Sequence, residues 1–134
     1  MPPERLGRYR IVRSIGRGGM GEVFEGLDER LHRPVAIKGL LHEHPNQERR
    51  ERLEREAMAV ASLSPPAVTH IYEIINEAGQ SWVVMEYVDG RSLADIVDEG
   101  PLPPAEVARI GAEVAEALAE AHAKGIIHRD IKTE

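Results

Sequence analysis

Three stretches of this 134-residue sequence combine residue types and spacings that suit chemistry. In Ile15-Gly16-Arg17-Gly18-Gly19-Met20-Gly21-Glu22-Val23, the glycines Gly16, Gly18 and Gly21 stand at G-x-G-x-x-G spacing. Glycine at that density lets a backbone turn tightly and approach a guest closely, because no Cβ intervenes. Phosphate is the usual guest, since its oxygens suit bare backbone N–H groups. The second stretch, Val35-Ala36-Ile37-Lys38, ends an apolar run in a lysine, and an ammonium among apolar neighbours needs an anionic partner. The third, Ile126-Ile127-His128-Arg129-Asp130-Ile131-Lys132, sets a carboxylate and a lysine two residues apart. In isolation those charges would be ordinary surface residues; their place directly after a long helical pattern singles them out. His42-Glu43-His44 offers histidines at H-x-H spacing beside Pro45, but no further ligand cluster accompanies them, so no metal site is read there.

The residues after the glycines decide which phosphate site this is. In a dinucleotide-binding unit the last glycine opens a helix. Here Glu22-Val23-Phe24-Glu25 is β-like and stops at Gly26, which places the glycines in a strand–loop–strand hairpin. A Walker-type loop fails as well, because no Gly-Lys-Ser/Thr closes the motif.

The elements that must carry these residues follow from periodicity. Tyr9–Ile15, Glu22–Glu25 and a run starting at Pro34 read as strands, with Asp28–Arg33 as a charged turn. Gly39 directly after Lys38 is unexpected, since glycine weakens a strand end. From Asn46 to Leu63 the spacing of Leu53, Ala57, Val60 and Ala61 predicts a helix, with Arg/Glu pairs on its other faces. Pro65-Pro66 stops it. His70–Asn76 and Ser81–Tyr87 read as two strands joined by a turn at Glu77-Ala78-Gly79. Ser92–Glu99 is a short helix, and Pro104–Lys124 is a long one with an apolar stripe of Val107, Ile110, Val114, Leu118 and Ala121, ended by Gly125.

Composition bounds the rest. Hydrophobic residues make up 42% and charged residues 30%, an ordinary globular balance. The absence of cysteine excludes disulfides and cysteine-based metal sites. No signal peptide and no run of membrane-spanning length is found, and cytoplasmic localisation is the expectation. The net charge of −6 divides into +2 over residues 1–64 and −8 over residues 65–134. An acidic second half and a first half without aromatic interleaving argue against nucleic acid as a partner.

Taken together, glycine hairpin, V-A-I-K, a charged helix and His-Arg-Asp-x-Lys stand in an order that resembles protein kinases. The resemblance is strongest to bacterial kinases of eukaryotic Ser/Thr type, and it covers Tyr9 to Glu134. It implies an α+β, protein-kinase-like fold, with a five-stranded antiparallel N-lobe sheet, one packed helix and the first helices of the C-lobe. Residues 1–88 would form the N-lobe and hinge, and residues 89–134 the start of the C-lobe. By the same resemblance, Gly16, Gly18 and Gly21 would cover the phosphates of ATP, with Ile15, Val23 and Ala36 against adenine. Lys38 would hold the α- and β-phosphates and pair with Glu56, for which Glu54 and Glu51 are the competitors. Met85 would be the gatekeeper, and the backbone at Glu86 and Val88 would bond adenine. Asp130 would accept the proton of the substrate hydroxyl, Lys132 would neutralise the transferred phosphate, and His128 would scaffold the loop.

This sequence departs from the family pattern at Thr133, where such kinases generally carry proline. The magnesium-binding asparagine and Asp-Phe-Gly that follow in the pattern do not occur in these residues, so no metal ligand is assigned in the chain. The expectation is an ATP- and Mg-dependent Ser/Thr protein kinase acting on protein substrates, present here as an incomplete domain, either a fragment or a natural truncation. The alternative is a non-catalytic nucleotide-binding or interaction module. The apolar stripe of the long helix would be left uncovered and would favour self-association.

Overall fold

The computed structural model describes residues 3–18, 21–40, 47–63, 67–128 and 131–133. The chain forms two compact units, residues 1–61 with 69–88, and residues 62–68 with 89–134. The first holds an antiparallel sheet of β1 (Arg5–Leu6), β2 (Tyr9–Gly18), β3 (Gly21–Asp28), β4 (Arg33–Leu40), β5 (Ile71–Glu77) and β6 (Gln80–Glu86), in the order β1-β2-β3-β4-β6-β5, together with helix α1 (Gln47–Ala61). Five of these strands match the expected ones. The sixth, β1, pairs only Arg5 with Arg10 and Leu6 with Tyr9.

Strand alternation sorts the sheet into two faces. Phe24, Val35, Ile37, Trp82 and Val84 fill one face with Leu6 and Tyr9, all essentially buried. The rings of Phe24 and Trp82 lie 6.2 Å apart at a tilt of 53°. Gly26 is needed here: a Cβ at that position would stand 2.7 Å from Cδ1 of Ile37. Ala78 and Gly79 both take positive φ, 51° and 78°, as a tight two-residue hairpin between β5 and β6 requires.

One end of the sheet is fastened by a charged cluster that the sequence showed only as a turn. The fully buried carboxylate of Asp28 accepts the backbone N–H groups of Arg30 and Leu31, each at 3.1 Å. It also lies 3.5 Å from Nε of Arg8 and 3.8 Å from Nε of Arg33. Burial acts to raise its pKa, but those N–H groups and the two guanidiniums outweigh burial and hold it below the usual value. Beside it, the Tyr9 hydroxyl donates to Glu73 and accepts from Arg8, both at 2.6 Å. Burial, and then the bond to Glu73, push the Tyr9 hydroxyl up to about 12.

The second unit carries α2 (Leu93–Asp98) and α3 (Pro104–Ala123). Ser92 caps α2 by accepting the N–H of Asp95 at 3.1 Å. Gly125, with φ of 74°, ends α3, and the N–H of Ile126 returns to the carbonyl of Ala121 at 2.9 Å. The Lys124 ammonium donates to the carbonyl of Ser62 at 2.7 Å.

Candidate functional site

The glycine hairpin joins β2 to β3, with Gly18 opposite Gly21 and Gly16 opposite Val23. Gly21 takes a φ of 129°, a conformation that glycine alone adopts without strain. A Cβ at Gly16 would meet nothing within 4 Å, so its backbone borders open space. The pairing register shifts between Ser14 and Gly16, which makes Ile15 a bulge residue, 38% exposed.

The register of β3, β4 and β6 brings the predicted residues onto one face. Val23 stands opposite Lys38, and Lys38 opposite Val83. One step along, Glu25 stands opposite Ala36, and Ala36 opposite Met85. Directly opposed residues share a face, as do residues two apart along a strand. Val23, Ala36, Lys38 and Met85 therefore line the side of the sheet away from the Phe24–Trp82 core. Ala36 is buried and the other three are half-buried. This small apolar floor ends in one positive charge.

The strand after Met85 leads out of the sheet. The N–H of Glu86 donates to the carbonyl of His70 at 2.8 Å, and its carboxylate accepts the N–H of His70 at 3.3 Å. Val88 lies beyond the last strand residue and is 65% exposed.

Lys38 and Glu56 are not brought together. The Glu56 carboxylate accepts from Nε of Arg52 at 3.0 Å and its side chain is 55% exposed. Lys38 makes no ion pair among the described residues. Glu54, one of the two named competitors, bonds instead to Asn76 on β5, at 2.7 Å. A half-buried ammonium that no carboxylate partners among the described residues suits an anionic guest on this face.

In the second unit, Lys132 and His128 are exposed, and the carbonyl of Thr133 accepts the N–H of Ala94 at 2.9 Å, at the start of α2. Asp130 lies outside the described residues, as do His42 and His44. Among the described residues no group of three or more His, Asp or Glu could hold a metal ion, and no helix is long and apolar enough to cross a membrane. Nucleotide phosphates thus fit the residues present, whereas a magnesium ligand set is not found among them. Sequence reasoning missed the Glu54–Asn76 bond and the Asp28 cluster; an aspartate two residues before an arginine in a turn was the available signal for the latter.

Comparison with known proteins agrees with this geometry. Residues 9–134 match the protein kinase domain family. The chain is 43% identical over 129 residues to serine/threonine-protein kinase pkn2 of Myxococcus xanthus, covering 96% of this chain and 16% of that protein. It is 43% identical to serine/threonine-protein kinase PrkC of Bacillus subtilis over 128 residues, 94% of this chain and 20% of that one. The PknI kinase domain of Mycobacterium tuberculosis superposes with a TM-score of 0.81 at 32% identity, covering 96% of this chain and 54% of that domain. The chain therefore spans about half of a solved kinase domain and about a fifth of its curated relatives. With a kinase-like sheet, a glycine hairpin and a strand lysine on one face, and a match along nearly its whole length, the chain belongs to the protein kinase domain family.

Proposed function

We propose that these residues form the nucleotide-holding part of an ATP-dependent Ser/Thr protein kinase that acts on proteins in the cytoplasm. The observation that carries this is the common face of Val23, Ala36, Lys38 and Met85 beside the hairpin of Gly16, Gly18 and Gly21. Adenine lies against Ile15, Val23 and Ala36, with its edge bonded by the backbone near Glu86 and Val88. The backbone of the glycine hairpin and the Lys38 ammonium take the phosphates, and Glu56 leaves Arg52 to orient Lys38. Asp130 orients the acceptor hydroxyl and takes its proton, while Lys132 offsets charge on the transferred group. Magnesium bound with the nucleotide would neutralise the remaining phosphate charge.

The test is titration of the chain with a fluorescent ATP analogue. Saturable binding displaced by ATP is expected, weakened about tenfold or more by Lys38→Met, as loss of a charge-assisted contact implies. Binding that ATP does not displace would defeat the reading. The second reading, a nucleotide-binding module without transferase activity of its own, is favoured for the isolated chain by the lack of a metal ligand set among the described residues.

A further inference from the structure

A buried hydroxyl decides which end of an asparagine helix α1 meets. Ser81 on β6 is fully buried and stands directly opposite Asn76 on β5. Its hydroxyl donates to Oδ1 of Asn76 at 2.6 Å, which engages the acceptor end of the amide and leaves the donor end to the helix. Nδ2 of Asn76 donates to Oε1 of Glu54 at 2.7 Å. A hydrogen bond to a carboxylate is stronger than one between neutral groups.

That bond belongs to the face that α1 turns to the sheet. Glu54, Ala57, Met58 and Ala61 stand at i, i+3, i+4 and i+7 and line one groove with Ile71 and Ile74 of β5. Glu56 lies about 150° around the helix from the middle of that face. Its carboxylate is accordingly exposed and paired with Arg52. Lys38 is on the side that the helix covers: Lys38, Val83 and Ile74 form one cross-strand row, and Leu40, Ser81 and Asn76 the row two residues away. Both rows share a face. Helix α1 therefore packs on the face that carries Lys38, with Glu54 turned towards it and Glu56 turned away.

Apolar packing holds this orientation loosely. Ala57 and Ala61 are small, the groove measures about 350 Å³, and Met58 remains 68% exposed. Few contacts oppose a roll of the helix about its axis. The bond of Glu56 to Arg52 is an exposed i, i+4 pair, readily exchanged for another cation. The directional bond from Asn76 supplies the restraint that packing and that pair do not.

We propose that Asn76, oriented by Ser81, is a latch that keeps Glu56 away from Lys38. The carboxylates of Glu54 and Glu56 leave the helix about 200° apart, so α1 cannot give the first to Asn76 and the second to Lys38 at once. Pairing of Glu56 with Lys38 requires the Asn76–Glu54 bond to break and the helix to roll. The latch thereby sets the fraction of chains in which the pair can form, and with it whatever depends on the pair. The meaning of that pair rests on the nucleotide-site reading; the test of the latch does not.

The chain contains no cysteine, so Lys38→Cys with Glu56→Cys introduces the only two thiols. Bridging by a short bismaleimide, matched in span to a lysine–glutamate pair, reports how often α1 turns position 56 towards position 38, with no nucleotide present. In this background Asn76→Ala and Glu54→Ala should each speed bridging about threefold or more. Glu54→Gln, which loses the same charge but still accepts from Nδ2 of Asn76, should stay within about twofold of the parent. Alanine is the better helix former, so faster bridging in Glu54→Ala does not come from an unravelled helix. Val84→Ala, in the core on the opposite face, is the control for general loosening. Bridging at the parental rate in both alanine variants at Asn76 and Glu54 overturns the proposal. An equal rise in Glu54→Gln overturns it by assigning the effect to charge, and an equal rise in Val84→Ala by assigning it to looser packing. Should Asn76→Ala fail to fold, the two Glu54 variants carry the comparison. ATP-analogue binding, measured on the chain retaining Lys38 and Glu56, separates the two readings. Faster bridging without the latch, in a chain that does not bind ATP, upholds the latch and refutes the nucleotide reading. ATP binding with unchanged bridging does the reverse.

Discussion

The ring of Trp82 lies against the backbone of Gly39, so close that a Cβ at position 39 would stand 2.9 Å from Cζ3. Gly39 follows Lys38 on β4 and pairs with Trp82 on β6. The glycine that looked out of place in a strand is thus the seat of a core tryptophan that is 6% exposed. Gly39→Ala must move that ring, and overpacking of this kind costs about 1–3 kcal/mol. Denaturant unfolding followed through Trp82, the single tryptophan, should show the loss. An unchanged midpoint would mean that the ring has room to withdraw.

Much of the architecture was legible because it is periodic. The alternation in β2 to β6 and the stripe of α3 gave five strands and three helices within a few residues of their observed ends. β1 was not legible, since two residues cannot display a period. Asp28 read as part of a solvated turn, because nothing local says that Arg8, just before β2, and Arg33, on β4, converge on it. The face shared by Val23, Ala36, Lys38 and Met85 follows from motif plus strand parity. The state of α1 does not, because Glu51, Glu54 and Glu56 are the same residue type and only the folded arrangement shows that Glu54 meets Asn76 on β5 while Glu56 meets Arg52.

Ala78 offers a gain rather than a loss. Its φ of 51° places a non-glycine residue in the left-handed region, at a cost of about 1 kcal/mol. Ala78→Gly, or Ala78→Asn, which tolerates that region better than alanine, should raise the melting temperature by a few degrees. A lower melting temperature would show that the Ala78 methyl packs favourably.

The two shifted groups at the sheet end predict opposite pH limits. Asp28 has a folded pKa below its ordinary value, so its contribution to stability is present above that ordinary value and is lost as the pH falls through the folded pKa. Tyr9 is raised from 10 to about 12, so its contribution is complete below pH 10 and lost as the pH rises from 10 to about 12. Tyr9→Phe should flatten the alkaline limb of stability against pH, and Asp28→Asn the acid limb. Ultraviolet titration of the wild-type chain should place one tyrosine ionisation near 12. The absence of that step would contradict the Tyr9–Glu73 bond.

The apolar stripe of α3 is only partly covered among the described residues: Ile110 and Leu118 are half-buried. Val107 is 54% exposed and Val114 38%, and Ala121 is the buried residue of the helix. Exposed apolar surface on one helical face favours association. The 134-residue chain should show light scattering that rises with concentration, reduced by Val107→Glu with Val114→Lys. A monomer at all concentrations, with dye binding typical of a compact domain, would count against self-association.

The 134-residue chain by itself should not transfer phosphate at a useful rate, even with Lys38 and Asp130 present. Phosphoryl transfer depends on positioning and on neutralising phosphate charge, with little covalent work for the protein. Lys38 and Lys132 bring two positive charges, and Lys132 is exposed, where water weakens its field. No group of three or more His, Asp or Glu among the described residues could hold a metal ion to add to them. The asparagine and Asp-Phe-Gly of the family pattern, which hold magnesium in kinases, are not among these residues. A metal ion held by such ligands contributes several kcal/mol of transition-state stabilisation, and every 1.36 kcal/mol is tenfold in rate. Nucleotide binding asks less, since the glycine hairpin, the apolar floor and Lys38 sit together on one sheet. The expected result is therefore ATP-analogue binding without phosphate incorporation into a generic Ser/Thr substrate, at a rate equal to that of Lys38→Met. Turnover well above that control would show that the charge on the phosphates is neutralised by groups other than those named here.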